Sequence, residues 1–280
     1  MDDEALLEHV VSEVRKVDGI VGVVLGGSRA NGTQTAASDF DVGLLFRGEN
    51  GFDLAALERV ARALDDEHRS ELVTPIGGWG PWVVGGGWLT IEGRAVDFIY
   101  RDIDRVRRVI DDCRAGIVDV AYQPAYVAGF VTTTYMAELD ACLPLWDPTG
   151  EVAALKALTR PYPDALKAAM LDKFAWVPSF AVGSGRKSAA RADVAFAAAS
   201  LFWAVASLVQ MIFALNGEYL MNEKGAVARV ESLPRCPANF RARVDGIFGA
   251  LRADAQAIHE AFDSLAALAA DFDRLREALD

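Results

Sequence analysis

Cysteine, histidine and positive charge are all scarce in this chain. Its 280 residues hold 3 Cys and 3 His, and 28 Lys+Arg stand against 40 Asp+Glu for a formal net charge of −12 at pH 7. Cys113, Cys142 and Cys236 lie far apart with no CxxC or Cys/His spacing, so the sequence encodes neither a zinc site nor a disulfide framework. An odd number of unclustered thiols suits a reducing compartment, and the expected location is the cytoplasm. The deficit of Lys and Arg argues against general nucleic-acid binding, which relies on neutralising phosphates. It favours a small-molecule partner, a cationic one included, or a phosphate substrate carried with a metal ion. The N-terminus MDDEALLEHV has neither the basic start nor the apolar run of a signal peptide.

Long hydrophobic runs are also rare. One stands out, Val194 to Leu215, in which Ser200, Ser207 and Gln210 are the polar residues. It is long enough for a membrane span. It is also alanine-rich and solitary, and a helix apolar all round is what the centre of a helical domain needs. A buried helix and no membrane partner are expected.

Present in abundance are hydrophobic residues, 52% of the chain, enough for a sizeable core. Leu6, Leu7, Val10, Val11 and Val14 recur at helical spacing within residues 3–17. Ile20 to Leu25 and Phe40 to Phe46 read as buried strands, residues 53–66 as a helix, and 71–100 as several short strands ending with Arg94 to Tyr100. A charged amphipathic helix follows at 102–113. From about residue 130 the pattern is helical almost throughout, at 133–143, 149–158, 163–177, 188–215, 239–250 and 252–278, with Pro and Gly breakers between. The expected division is an α/β domain over residues 1–120 and an all-helical domain over 121–280.

The stretch that carries chemistry is VVLGGSRANGTQTAASDFDVGLLF, Val23 to Phe46. A strand ends in Gly26-Gly27-Ser28, where glycine lets the backbone approach a ligand and free N–H groups at the next helix start favour phosphate. Asp39 and Asp41 open the following strand. Residues i and i+2 of a strand share a face, so both carboxylates project together while Phe40 and Val42 turn away. Paired carboxylates repel unless a cation lies between them, and magnesium held by carboxylates and substrate phosphates is the natural solution. Asp97 sits in an apolar strand, RAVDFIY, where a charge is costly unless paired or metal-bound. If that strand neighbours the pair, three carboxylates converge.

This ordered set, Gly27-Ser28, then Asp39 and Asp41, then Asp97, resembles the polymerase-β-type nucleotidyltransferase superfamily. The layout resembles its small-molecule, antibiotic nucleotidyltransferase-like branch. The resemblance implies an α+β fold, with an N-terminal nucleotidyltransferase domain built on a mixed sheet and a C-terminal helical bundle. It implies that Asp39, Asp41 and Asp97 hold Mg²⁺ and that Gly27 and Ser28 hold the triphosphate, bound between the domains. The implied reaction is transfer of AMP from ATP to an acceptor hydroxyl of a small molecule. Alternatives are a regulatory or toxin–antitoxin-type module on the same fold, or a transferase directed at RNA or protein.

Other residues are weighed beside this set. Arg29 is placed to reach phosphate or to lie solvated. Lys224, in the NGEYLMNEKG segment after the long apolar helix, and Lys187, in a GSGRKS loop, are candidate triphosphate contacts. Trp79, Trp82 and Trp88 fall in the Gly-rich segment 77–88. They suit either stacking on a ligand or, as the preferred reading, anchoring a hairpin weakened by glycine. Arg252 and His259 form R-x6-H on a predicted helix, a pattern that resembles HEPN-type ribonucleases and is also common by chance.

Overall fold

In the computed structural model, residues 1–32, 34, 35, 37–48 and 51–278 are described, and they divide into two compact units. The first comprises residues 1–112, 120–125 and 129–161. The second comprises residues 113–119, 126–128 and 162–280.

The first unit is built on a mixed sheet. Its elements in chain order are α1 (Asp3–Val14), β1 (Ile20–Leu25), α2 (Gly27–Ala30), β2 (Phe40–Phe46), α3 (Leu54–Leu64), β3 (Gly86–Ile91), β4 (Arg94–Asp102) and α4 (Ile103–Arg114). They continue with β5 (Val120–Ala121), β6 (Phe130–Val131), α5 (Thr133–Ala141), β7 (Leu143–Trp146) and α6 (Glu151–Ala157). The sheet order is β3-β4-β2-β1-β7, with β2 and β4 parallel and the other neighbours antiparallel. Local chemistry starts the helices. Asp2 accepts a hydrogen bond from the Ala5 N–H at the head of α1, and Asp53 accepts one from Ala56 at the head of α3. The apolar stripes of these helices, Leu6, Val10 and Val14 on α1 and Leu57, Ala61 and Leu64 on α3, are buried. They join one core with Phe40, Val42, Leu44 and Phe46 of β2 and Val96, Phe98 and Tyr100 of β4. Alternate residues of the same two strands therefore fill the core, as a strand's period of two requires.

Strand β7 departs from the helical reading of this region. Helix α5 ends at Ala141, and Cys142 is already extended, with φ −63° and ψ 153°. Pro144 explains the stop. It biases Leu143 away from helical geometry and suits an edge strand, where a missing N–H is tolerated. β7 then pairs with β1 through Val23↔Trp146 and Leu25↔Leu143, which carries the first unit well past residue 120.

The second unit is helical. It contains α7 (Asp164–Ala175), α8 (Val177–Gly185), a 3₁₀ turn at Arg186–Arg191, α9 (Val194–Leu215), α10 (Ala226–Val230), α11 (Phe240–Gly249) and α12 (Ala255–Glu277). Helix α9 is the long apolar run. By length and composition it could cross a membrane, yet 67% of its most apolar window is buried inside the protein. Two local expectations fail here. The GSGRKS segment is not a loop: α8 runs through Gly183 and Gly185, and the 3₁₀ turn continues it. The glycine is retained for contact rather than for a break, since a Cβ on Gly185 would lie 2.0 Å from the Phe262 ring of α12. Arg252 precedes α12 and His259 lies within it, so the R-x6-H pair does not share one helix.

Candidate functional site

The carboxylates meet on the face of the sheet opposite the core. Asp41 on β2 and Asp97 on β4 are direct register partners across the parallel pair, which puts both side chains on the same face of neighbouring strands. Adjacent strands are about 4.8 Å apart, so the two carboxylates start from backbones one strand spacing apart. Asp39 lies exposed just before β2, while Asp41 and Asp97 are half-buried. The flanking residues Phe40 and Val42 are 1% and 0% exposed, turned into the core.

The glycine turn closes against this pair. The Gly26 N–H donates to the Asp41 carbonyl oxygen at 2.7 Å, which fixes the end of β1 beside the start of β2. Gly27 has φ +62°, and a Cβ there would fall 1.7 Å from Asp41 Oδ2. Only glycine permits both that backbone conformation and that proximity. Ser28 follows within α2. This helix has four residues, so its dipole is small, and any anion would rest on local N–H groups and the Ser28 hydroxyl.

Electrostatics ties the three aspartates together. The Asp97 carboxyl is pushed up to about 6, first by burial and then by the negative charges of Asp41 and Asp39. Among the described residues, no group of three or more Asp, Glu, His or Cys side chains is placed so that it could hold a metal ion. The aspartates form an electrostatic cluster rather than a finished set of ligands. The donor set nevertheless fits a hard divalent cation. It is all oxygen, and a cation would relieve the repulsion that raises the proton affinity of Asp97.

Arg29 is engaged elsewhere. Its Nε and Nη2 donate to the Ser38 carbonyl oxygen at 3.1 and 2.8 Å, and its Nη1 pairs with Asp3 Oδ2 at 2.6 Å. Its guanidinium carbon lies 3.7 Å from the Phe40 ring centroid. It thus pins the residue before Asp39 to α1 and to the sheet. A cavity of about 500 Å³ opens next to it, lined by Asp3, Arg29, Ser38, Asp39, Arg94 and Ala95 among others. The remaining candidates belong to the second unit. Lys187 is exposed on the 3₁₀ turn, and Lys224 is exposed in a turn whose N–H donates to Asn222 Oδ1 at 2.9 Å. The structure brings Gly27, Ser28, Asp39, Asp41 and Asp97 together within the first unit.

Sequence reasoning missed two features. One is the Arg29 latch, whose partners Asp3 and Ser38 carry no motif. The other is the pairing of Trp88, already singled out as able to stack on a ligand, with Asp97: the two are register partners on the side opposite Asp41, and Trp88 is 59% exposed. Its position on a strand was legible; its neighbour was not.

Residues 7–77 match the family model described as a nucleotidyltransferase domain. The matched span contains Gly27, Ser28, Asp39 and Asp41 and ends before Asp97. No curated protein matches the chain in sequence. Among solved structures, the chain is similar to a nucleotidyltransferase-like protein from Exiguobacterium sibiricum 255-15. The identity is 12%, the alignment covers 98% of this chain and 78% of that one, and the TM-score is 0.46. That likeness is a distant one.

Proposed function

We propose, from the premise that this chain carries a nucleotidyltransferase domain of the polymerase-β type, that it transfers a nucleoside monophosphate, AMP from ATP, to a hydroxyl of a small-molecule acceptor. The observation that carries this reading is the in-register Asp41–Asp97 pair, set against a glycine turn that a single methyl group would close. Asp39, Asp41 and Asp97 would hold Mg²⁺, which when bound neutralises triphosphate charge and strengthens pyrophosphate as a leaving group. The backbone N–H groups at Gly27 and Ser28, with the Ser28 hydroxyl, would orient the phosphates. The acceptor oxygen bonds to the α-phosphorus as the bond to pyrophosphate breaks, releasing pyrophosphate and a proton. The chain's contribution is mostly positioning: both aspartate-bearing strands are backed by a packed core, so the carboxylates are held on rigid elements.

Titration of Mg²⁺ and ATP into the wild type and into Asp41→Asn tests this. Metal-dependent nucleotide binding in the wild type and its loss in the variant are expected. Equal binding in both, or no binding in either, overturns the proposal. Transfer of label from α-labelled ATP to small molecules, rather than to RNA or protein, then tests the acceptor class.

A further inference from the structure

An aromatic pair, Trp79 and Trp88, stands beside Asp97. Trp88 is the antiparallel partner of Asp97, so the two side chains stand on the same face one strand spacing apart, ~4.8 Å. A single row therefore crosses four strands: the Gly26-Gly27 turn at the end of β1, Asp41 on β2, Asp97 on β4 and Trp88 on β3. The turn that suits phosphate is at one end of the row and an exposed indole at the other, with the carboxylates between.

The indole is held in a built setting. Trp79 stacks on Trp88 with ring centroids 4.6 Å apart and planes 28° apart. Trp79 itself lies over Gly86, where a Cβ would meet its ring at 2.5 Å, so the glycine makes room for the stack. The loop that carries Trp79 is clamped by Gln123, which is 2% exposed. Gln123 Nε2 donates to the Trp79 carbonyl oxygen at 2.9 Å, and Gln123 Oε1 accepts from the Trp82 and Val83 N–H groups at 2.9 and 3.0 Å. Trp88, the ring Trp79 stacks on, is left 59% exposed.

We propose that Trp88, backed by Trp79, is the platform on which the acceptor stacks, and that the acceptor is a hydroxyl-bearing ring with a flat apolar face. A ring laid against Trp88 brings a rim hydroxyl toward Asp97 and the α-phosphate, from the side opposite the glycine turn. Aromatic faces bind such rings by dispersion and quadrupole contact without fixing their hydrogen-bond pattern. Selectivity for the ring and delivery of its hydroxyl thus come from different residues. This inference rests on the nucleotidyl-transfer reading, and its test separates the two.

The full chain, labelled with fluorotryptophan, is followed by fluorine NMR, with Trp79→Phe and Trp88→Phe assigning the two resonances. Mg²⁺ and a non-hydrolysable ATP analogue are added first; absence of binding at this step sinks the transfer reading itself. Ring probes (methyl β-glucoside, inositol, phenol) and acyclic ones (glycerol, serine) are then titrated. The sugar, cyclitol and phenol arms separate carbohydrate from aromatic acceptors. The expected result is that at least one ring probe moves the Trp88 resonance and the acyclic probes do not. Trp88→Ala should then weaken that ring probe ~10-fold and Trp88→Phe much less, with nucleotide affinity within about twofold of wild type. A ~10-fold loss of nucleotide affinity in Trp88→Ala would assign the indole to the base and overturn the proposal. Ring binding unchanged in Trp88→Ala, or no response to any ring probe while nucleotide binds, would overturn it too.

Discussion

The two faces of the N-terminal sheet are made by the same strands and do opposite things. On β2, Phe40, Val42 and Leu44 point into the core at 1%, 0% and 0% exposure, and on β4 Val96 and Phe98 are fully buried. One residue over, Asp41, Asp97 and Trp88 stand on the other face. The core face tolerates only apolar volume. The opposite face gathers like charges, which oppose folding, and an exposed indole, which contributes little to it. The contrast teaches that the first face supplies the stability against which the second can hold a repulsive arrangement.

Substitutions can break this contrast from either side. The largest effect is expected at the carboxylates. Asp41→Asn and Asp97→Asn should each lower transfer by roughly 10³-fold, as removal of a transition-state electrostatic contact does, while the melting temperature holds or rises. Radiolabel transfer and calorimetry check the two halves; a large fall in melting temperature would make the aspartates structural. On the core face the pattern should invert. Phe98→Ala should destabilise by about 3–5 kcal/mol, read by urea denaturation, with nucleotide binding retained wherever the chain stays folded.

A second pair sharpens the distinction, because not every buried carboxylate here is chemical. Asp65 is 0% exposed and accepts from Arg69 Nε at 2.9 Å and from the Thr90 N–H at 2.9 Å. The Arg69 hydrogen bonds hold its carboxyl well below the usual range, outweighing burial, with the Thr90 N–H adding to them. Its stabilising contribution is therefore present above the ordinary carboxylate value of about 4 and fades as pH falls through its depressed one. Asp65→Asn should destabilise by about 2 kcal/mol at neutral pH, the worth of hydrogen bonds to a charged group, and lose that difference in acid, measured by denaturation across pH.

Asp97 has the opposite sign. Its raised value means protonation favours the folded state, so the contribution is full below about 4 and disappears as pH climbs through about 6. Asp97→Asn should flatten stability between those values in the metal-free protein. Because Mg²⁺ requires the ionised carboxylate, its dissociation constant should rise ~10-fold per pH unit below about 6 and level off above, by isothermal titration. A flat profile would detach Asp97 from the metal. The smallest effect expected is at the latch: Arg29→Lys loses the forked contact to Ser38 and should weaken Mg²⁺ binding by only a few-fold, seen in the same titration.

Much of the sheet was legible because it is written locally. Ile20–Leu25 and Phe40–Phe46 are β-branched or aromatic runs between turn residues, and both match the observed strands. The alternation in Asp39-Phe40-Asp41-Val42 gave the sidedness of the pair. Elements shaped by contact were not legible. β7 is a four-residue strand with a proline, and it exists because β1 offers an edge. α8 runs through two glycines that look like breakers, one of which touches Phe262. The site shows the same divide: Asp97 could be singled out as a charge in an apolar strand, but its register with Asp41 and Trp88 is a property of pairing between distant segments.

The parallel pairing of β2 with β4 has a kinetic consequence. Parallel neighbours cannot be joined by a tight turn, and here α3 and β3 intervene before β4 arrives beside β2. The Asp41–Asp97 juxtaposition is thus a high-contact-order event, formed only once the long crossover has closed. A nascent chain that ends before Arg94 holds two of the three aspartates and none of their partner strand. If the aspartates bind a cation, as proposed, that affinity becomes a clock for folding, absent from early collapsed states and acquired when the last strand of the crossover docks.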